Sequence, residues 1–156
     1  MGTTYNKELH IEKLVKSQAD FLIQELEKIE PMMEAIFKDN TRIEYTEFGN
    51  SQIRNLLKAA SQASGVNEIV LYIQYQIGRD NSRNIRTRTW NRTFGKETLG
   101  EAVINIIRNI ERKSKEVSEG DDELHRDLVL RLIERFLNYW TWKYSYLSTT
   151  MGGGRR

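Results

Sequence analysis

The chain reads as an all-α protein, on three observations. Apolar residues recur at three- and four-residue steps through most of its 156 residues, the spacing of one helix face. Pro31, the only proline, and the glycines Gly65, Gly78 and Gly120 fall between these periodic stretches, where helices start and stop. One run alternates as a strand would, but it has no second strand to complete its hydrogen bonds.

The first periodic stretch is Lys7 to Glu30, where Ile11, Leu14, Val15, Phe21, Leu22 and Ile29 share one side and Glu12, Lys13, Lys16, Asp20, Glu27 and Lys28 the other. Pro31 either stops this helix or opens a second short one through Phe37, and residues 39–49 read as loop. Asn50 or Ser51 is a plausible cap for a helix from Gln52 to Ser64, closed by Gly65 in a left-handed conformation. Ile69, Leu71, Ile73, Tyr75 and Ile77 form the alternating run. Helical neighbours favour a helix there, capped by Asn67 and ended by Gly78. Leu99, Val103, Ile106, Ile107 and Ile110 mark a helix that begins near Lys96 and runs towards Val117, with Gly120 breaking the chain after it.

The last helix opens with Asp121, Asp122 and Glu123, acids that suit a helix N-terminus, and runs to about Leu147. It carries two apolar stripes. Val129, Ile133, Phe136, Trp140, Tyr144 and Leu147 form one, which is expected in the core; Leu128, Leu132, Tyr139, Trp142 and Tyr146 form the other, suited to core or to an interface with a subunit or a base.

Residues 1–150 are expected to make a single helical domain and 151–156, ending in GGGRR, a flexible tail. With no cysteine, the chain offers no disulfide, thiolate nucleophile or cysteine zinc site. No apolar run reaches the ~20 residues of a membrane span and no secretory start is visible, so a cytoplasmic protein is the expectation. Net charge is only +2, yet residues 1–50 carry −4 and residues 51–118 carry +6. A basic middle suits a polyanion, and it would also attract the acidic N-terminal helix of another copy.

The basic excess peaks in RDNSRNIRTRTWNR, Arg79 to Arg92, with five arginines (Arg79, Arg83, Arg86, Arg88, Arg92), the single acid Asp80 and no lysine. Arginine's planar fork grips phosphate at two points, and Trp90 offers a stacking surface. Nucleic acid is therefore the expected ligand, against the alternative of a basic loop that ties down carboxylates of the fold. His10 and His125 lie on charged faces without a nucleophile at triad spacing and read as surface residues. No phosphate-binding glycine loop, dinucleotide fingerprint or metal-ligand spacing is present, so no catalytic residue, cofactor or metal is expected.

Three stretches carry a family resemblance: FGNSQIRNLLKAA (Phe48 to Ala60), VLYIQYQIGRD (Val70 to Asp80) and LIERFLNYWTWKYSYL (Leu132 to Leu147). In order and spacing they resemble the small helical subunit of type III-A CRISPR effector complexes, the Csm small subunit. The resemblance implies a compact all-α bundle of about five or six helices without an active site. It also implies a role in antiviral defence, with copies stacking head to tail along crRNA and target RNA beside the backbone and large subunits. By motif position it makes Arg54 and Arg79 RNA-backbone contacts, and Lys58 joins them one helical turn beyond Arg54. Arg83, Arg86, Arg88 and Arg92 are candidates by charge. The stretch before Phe48 is longer than the family pattern. The small subunit of type III-B complexes is the nearest alternative; a DNA-binding regulator using Gln52 to Lys58, or an RNA-processing enzyme using His125, are the others.

Overall fold

A computed structural model describes residues 2–40, 50–81 and 90–150. Among them, seven helices surround one apolar core: α1 (Gly2–Ser17), α2 (Ala19–Glu27), α3 (Glu30–Asn40), α4 (Asn50–Gln62), α5 (Val66–Asn81), α6 (Leu99–Val117) and α7 (Asp122–Thr150). A two-residue hairpin, β1 (Thr93–Phe94) with β2 (Glu97–Thr98), precedes α6, pairing Thr93 with Thr98 and Phe94 with Glu97. The all-α expectation holds, with one or two more helices than expected and this small hairpin beside them.

The extra helix arises because the Lys7 to Glu30 stretch is broken. At Gln18 (φ −101°, ψ 11°) the chain leaves helical geometry, the Gln18 N–H reaching the Val15 carbonyl at 3.1 Å and Ser17 Oγ donating to the Leu14 carbonyl at 2.6 Å. A tightened turn and a serine back-bonded to its own helix are ordinary ways to end one. Ile11 and Val15 are then buried from α1, and Leu22 and Leu26 from α2. Pro31 opens α3 as its second residue, where its missing N–H costs no helical bond.

Five boundaries differ from the sequence-based expectation. Asn50 and Ser51 lie inside the first turn of α4 rather than before it. Gly65 is not among the positive-φ residues; the link is held instead by the Ser64 N–H donating to the Glu68 carboxylate at 2.9 Å. Asn67 lies within α5, not at its cap, and α5 continues through Gly78 to Asn81, because Ile69, Ile73 and then Asp80 all turn inward. α6 starts at Leu99, three residues after Lys96, where Thr98 accepts the Glu101 N–H at 3.1 Å and Glu101 accepts the Thr98 N–H at 2.8 Å. This reciprocal capping box fixes the start. Gly120 breaks the chain as expected, at φ +87°, and Asp121 caps α7 by accepting the Leu124 N–H at 3.1 Å.

α7 is the central helix, packed against α1, α2, α3, α4 and α6. Its first stripe is wholly buried, and Trp140 meets Trp90 edge-on with ring centroids 6.2 Å apart. α1 runs parallel to it along a ladder of ion pairs: Lys7 with Glu123 (2.9 Å) and Asp127 (3.3 Å), Glu8 with Arg131 (2.6 Å), and Glu12 with Arg135 (3.1 Å). Glu8 and Glu12 thus have cationic partners inside the chain, in competition with any attraction to another copy. No helix among the described residues is long and apolar enough to cross a membrane.

Candidate nucleic-acid interface

The exposed side of α4 carries Arg54, Asn55, Lys58 and Ser61, because Ile53, Leu56 and Ala60 take the other side into the core. With Leu57, these residues form one wall of an open groove whose other wall is α7, at Glu134 and Asn138. Arg54 and Lys58 stand one turn apart on this wall, both exposed, and neither enters an ion pair among the described residues. Two cations at that spacing on an open groove can hold two phosphates, and the Asn and Ser side chains add neutral donors. Among the described residues Glu134 is the one carboxylate in the groove, and it also lines a neighbouring depression with Arg131.

Arg79 is exposed in the last turn of α5, so it projects from a helix rather than from the loop expected after Gly78. The next residue, Asp80, is only 2% exposed, and its carboxylate accepts the Trp90 N–H at 2.6 Å. Beyond it the Gly100 N–H donates to the Trp90 carbonyl (2.9 Å) and the Leu99 N–H to the Arg92 carbonyl (3.0 Å). The two ends of the arginine segment are therefore tied to each other and to the start of α6. Arg83, Arg86 and Arg88 lie outside the described residues.

Two expectations are corrected here. Trp90 is 2% exposed against Trp140 and cannot stack on a base; a tryptophan beside arginines gave no sign that the core would claim it. His125 is half-buried rather than solvated, its Nδ1 lying 2.9 Å from the hydroxyl of the fully buried Ser114. Arg92 is half-buried too, with its guanidinium carbon 5.6 Å from the centre of the Phe94 ring, and burial pushes its pKa below the ordinary value. Its side chain packs on the hairpin, which leaves Arg54, Lys58 and Arg79 as the exposed candidates among the described residues.

The second stripe of α7 divides. Leu128 and Leu132 are buried, Tyr139 is half-buried, and Trp142 and Tyr146 are 66% and 61% exposed. α5 shows a further exposed row, Leu71, Tyr75 and Arg79, at four-residue steps. Tyr72 beside it accepts from the Gln76 amide, which lowers its pKa, but burial outweighs this and pushes the phenol above the ordinary tyrosine value. The class that fold and surface define is an all-α protein with an exposed cationic groove. In comparison with known protein families, curated proteins and solved structures, the chain matches none.

Proposed function

We propose that the chain is a non-catalytic, RNA-binding small subunit of a type III-A CRISPR effector complex. Copies stack along crRNA and target RNA beside the backbone and large subunits, gripping phosphates without reading bases. The observation that carries this reading is the pair Arg54 and Lys58, exposed one turn apart on an open groove. The supporting sequence is the FGNSQIRNLLKAA stretch that contains both residues and the VLYIQYQIGRD stretch that ends on exposed Arg79.

A subunit serving guides of any sequence must recognise phosphate, sugar and shape, because base contacts would restrict the targets bound. With about four phosphates neutralised, the logarithm of affinity falls with the logarithm of salt at a slope of roughly −3. Arg54→Ala with Arg79→Ala should weaken binding equally for unrelated RNA sequences, reduce the slope by about 2 and leave helical content unchanged. Equal binding by variant and parent at low salt would refute the reading, and sequence-dependent binding to duplex DNA would replace it with a DNA regulator. Capture by type III-B rather than type III-A backbone subunits would reassign the complex.

A further inference from the structure

Of the three tryptophans, Trp90 and Trp140 are 2% and 0% exposed, whereas Trp142 is 66% exposed. An aromatic ring of this size left in water gives up much of the stabilisation its burial would bring. It is also held in place, for the Tyr139 ring lies against it with centroids 5.5 Å apart at 48°. Tyr146 stands one turn further on, with Lys143 Nζ 5.6 Å from its ring centre. The platform is built rather than incidental.

Its position connects it with the cationic groove. Glu134, Asn138 and Trp142 follow one another at four-residue steps on α7, and the first two line the groove opposite Arg54 and Lys58. Steps of four keep to one helix face and advance about 6 Å each, so the indole continues the line of the groove. Cations for phosphate followed by an aromatic face are the two parts of a single-strand site. A duplex offers the first part a partner but keeps its base faces stacked inside.

We propose that the groove between α4 and α7 binds unpaired RNA, Arg54 and Lys58 holding phosphates while a base stacks on Trp142. This rests on the RNA-binding reading above and narrows it to single-stranded nucleotides. Tyr139 acts as a positioning residue that fixes the indole plane. Asn138, exposed between the cations and the ring, supplies donors to the sugar or phosphate between them.

The test uses the full chain with a uridine oligomer of about 12 nucleotides, within the usual span of single-strand sites, and an RNA duplex of equal length. Labelled-RNA anisotropy reports affinity, and tryptophan emission with acrylamide quenching reports on Trp142, since the other two indoles are buried. The single strand should quench the emission and shield it from acrylamide. Trp142→Ala should weaken single-strand binding about ten- to hundredfold, the worth of one stacked base. Trp142→Phe should recover most of it, and duplex affinity should stay within about twofold. Unchanged single-strand binding by Trp142→Ala, together with weakened binding by Arg54→Ala plus Lys58→Ala, would overturn the platform and leave the phosphate reading standing. Absence of any RNA binding would overturn both. Shielding that grows with protein concentration without RNA would assign the face to a second copy and overturn the proposal.

Discussion

Replacing Asp80 with alanine tests how the arginine segment is anchored. The carboxylate is 2% exposed and accepts the Trp90 N–H at 2.6 Å. A hydrogen bond to a charged group contributes about 1.5–3 kcal/mol, and alanine also leaves a buried donor without that acceptor. The expected loss is about 2–3 kcal/mol. In a chain of this length each kcal/mol lowers the melting temperature by about 2–4 °C, so Tm should fall by about 4–12 °C. Asp80→Asn keeps an acceptor oxygen at the same place and should lose about half as much.

Urea titration followed by circular dichroism gives the free energy, and acrylamide quenching of tryptophan follows the anchor itself. In Asp80→Ala the Trp90 indole should become accessible at urea concentrations where the helices are still intact, because the tie between the segment's ends is cut before the core fails. RNA affinity should fall as well, since Arg79 and Arg92 flank the tie that is cut. An alanine variant within about 0.5 kcal/mol of the parent, the range of an ordinary surface change, would refute the anchoring argument.

Three further outcomes follow from the same geometry. A Cβ on Gly100 would stand 2.5 Å from Ile77 Cδ1 and Cγ1 and 3.1 Å from the Trp90 carbonyl; overpacking of about 1–3 kcal/mol outweighs the helix-propensity gain of about 1, so Gly100→Ala should lower Tm, and less so in an Ile77→Ala background. Thr98→Ala removes the capping-box acceptor for the Glu101 N–H and should cost about 1 kcal/mol by urea titration. Burial raises the Tyr72 phenol above its ordinary 10.0, so the folded chain keeps that proton longer than the unfolded one. Its share of stability is complete below pH 10 and is lost as pH rises through the raised value, so between about pH 9 and 11 Tyr72→Phe should lose less stability than the parent.

Helix content was legible because burial follows period. Ile69 and Ile73 are fully buried while Leu71 and Tyr75 are exposed, so the four-residue interval won over the two-residue alternation in the same letters. The break at Gln18 was not legible, since Phe21, Leu22 and Ile29 continue an acceptable period and only the backbone at Gln18 shows it. The start of α6 could have been read from Thr98 and Glu101, a threonine followed three residues later by a glutamate ahead of an apolar run. At the candidate site, Arg54 and Lys58 could be placed on one polar face by counting. Burial of Asp80 and Trp90 could not, because each depends on the other across nine intervening residues, and composition placed both in a phosphate-binding arginine segment.

The break at Gln18 also bears on the exposed face of α7. α1 runs parallel to α7 and stays beside it through the pairs from Lys7–Glu123 to Glu12–Arg135. Over that length the second stripe is covered, with Leu128 and Leu132 fully buried. Continued in the same register beyond Gln18, α1 would lie beside the turns that hold Trp142 and Tyr146. The chain breaks there instead and continues along α7 through α2 and α3, where Lys143 pairs with Glu30 at 3.3 Å and the Tyr144 ring lies 4.9 Å from that of Phe37. Those contacts fall on the first-stripe side of the helix and leave Trp142 and Tyr146 in water. The turn at Gln18 therefore makes the additional helix and ends the α1 register that would have reached the aromatic face at the end of the cationic groove. Restoring a straight α1 by filling that turn with strong helix formers should bury Trp142 and suppress single-strand binding while leaving Arg54 and Lys58 exposed. Retained acrylamide access to Trp142 in such a variant would break the link between the turn and the face.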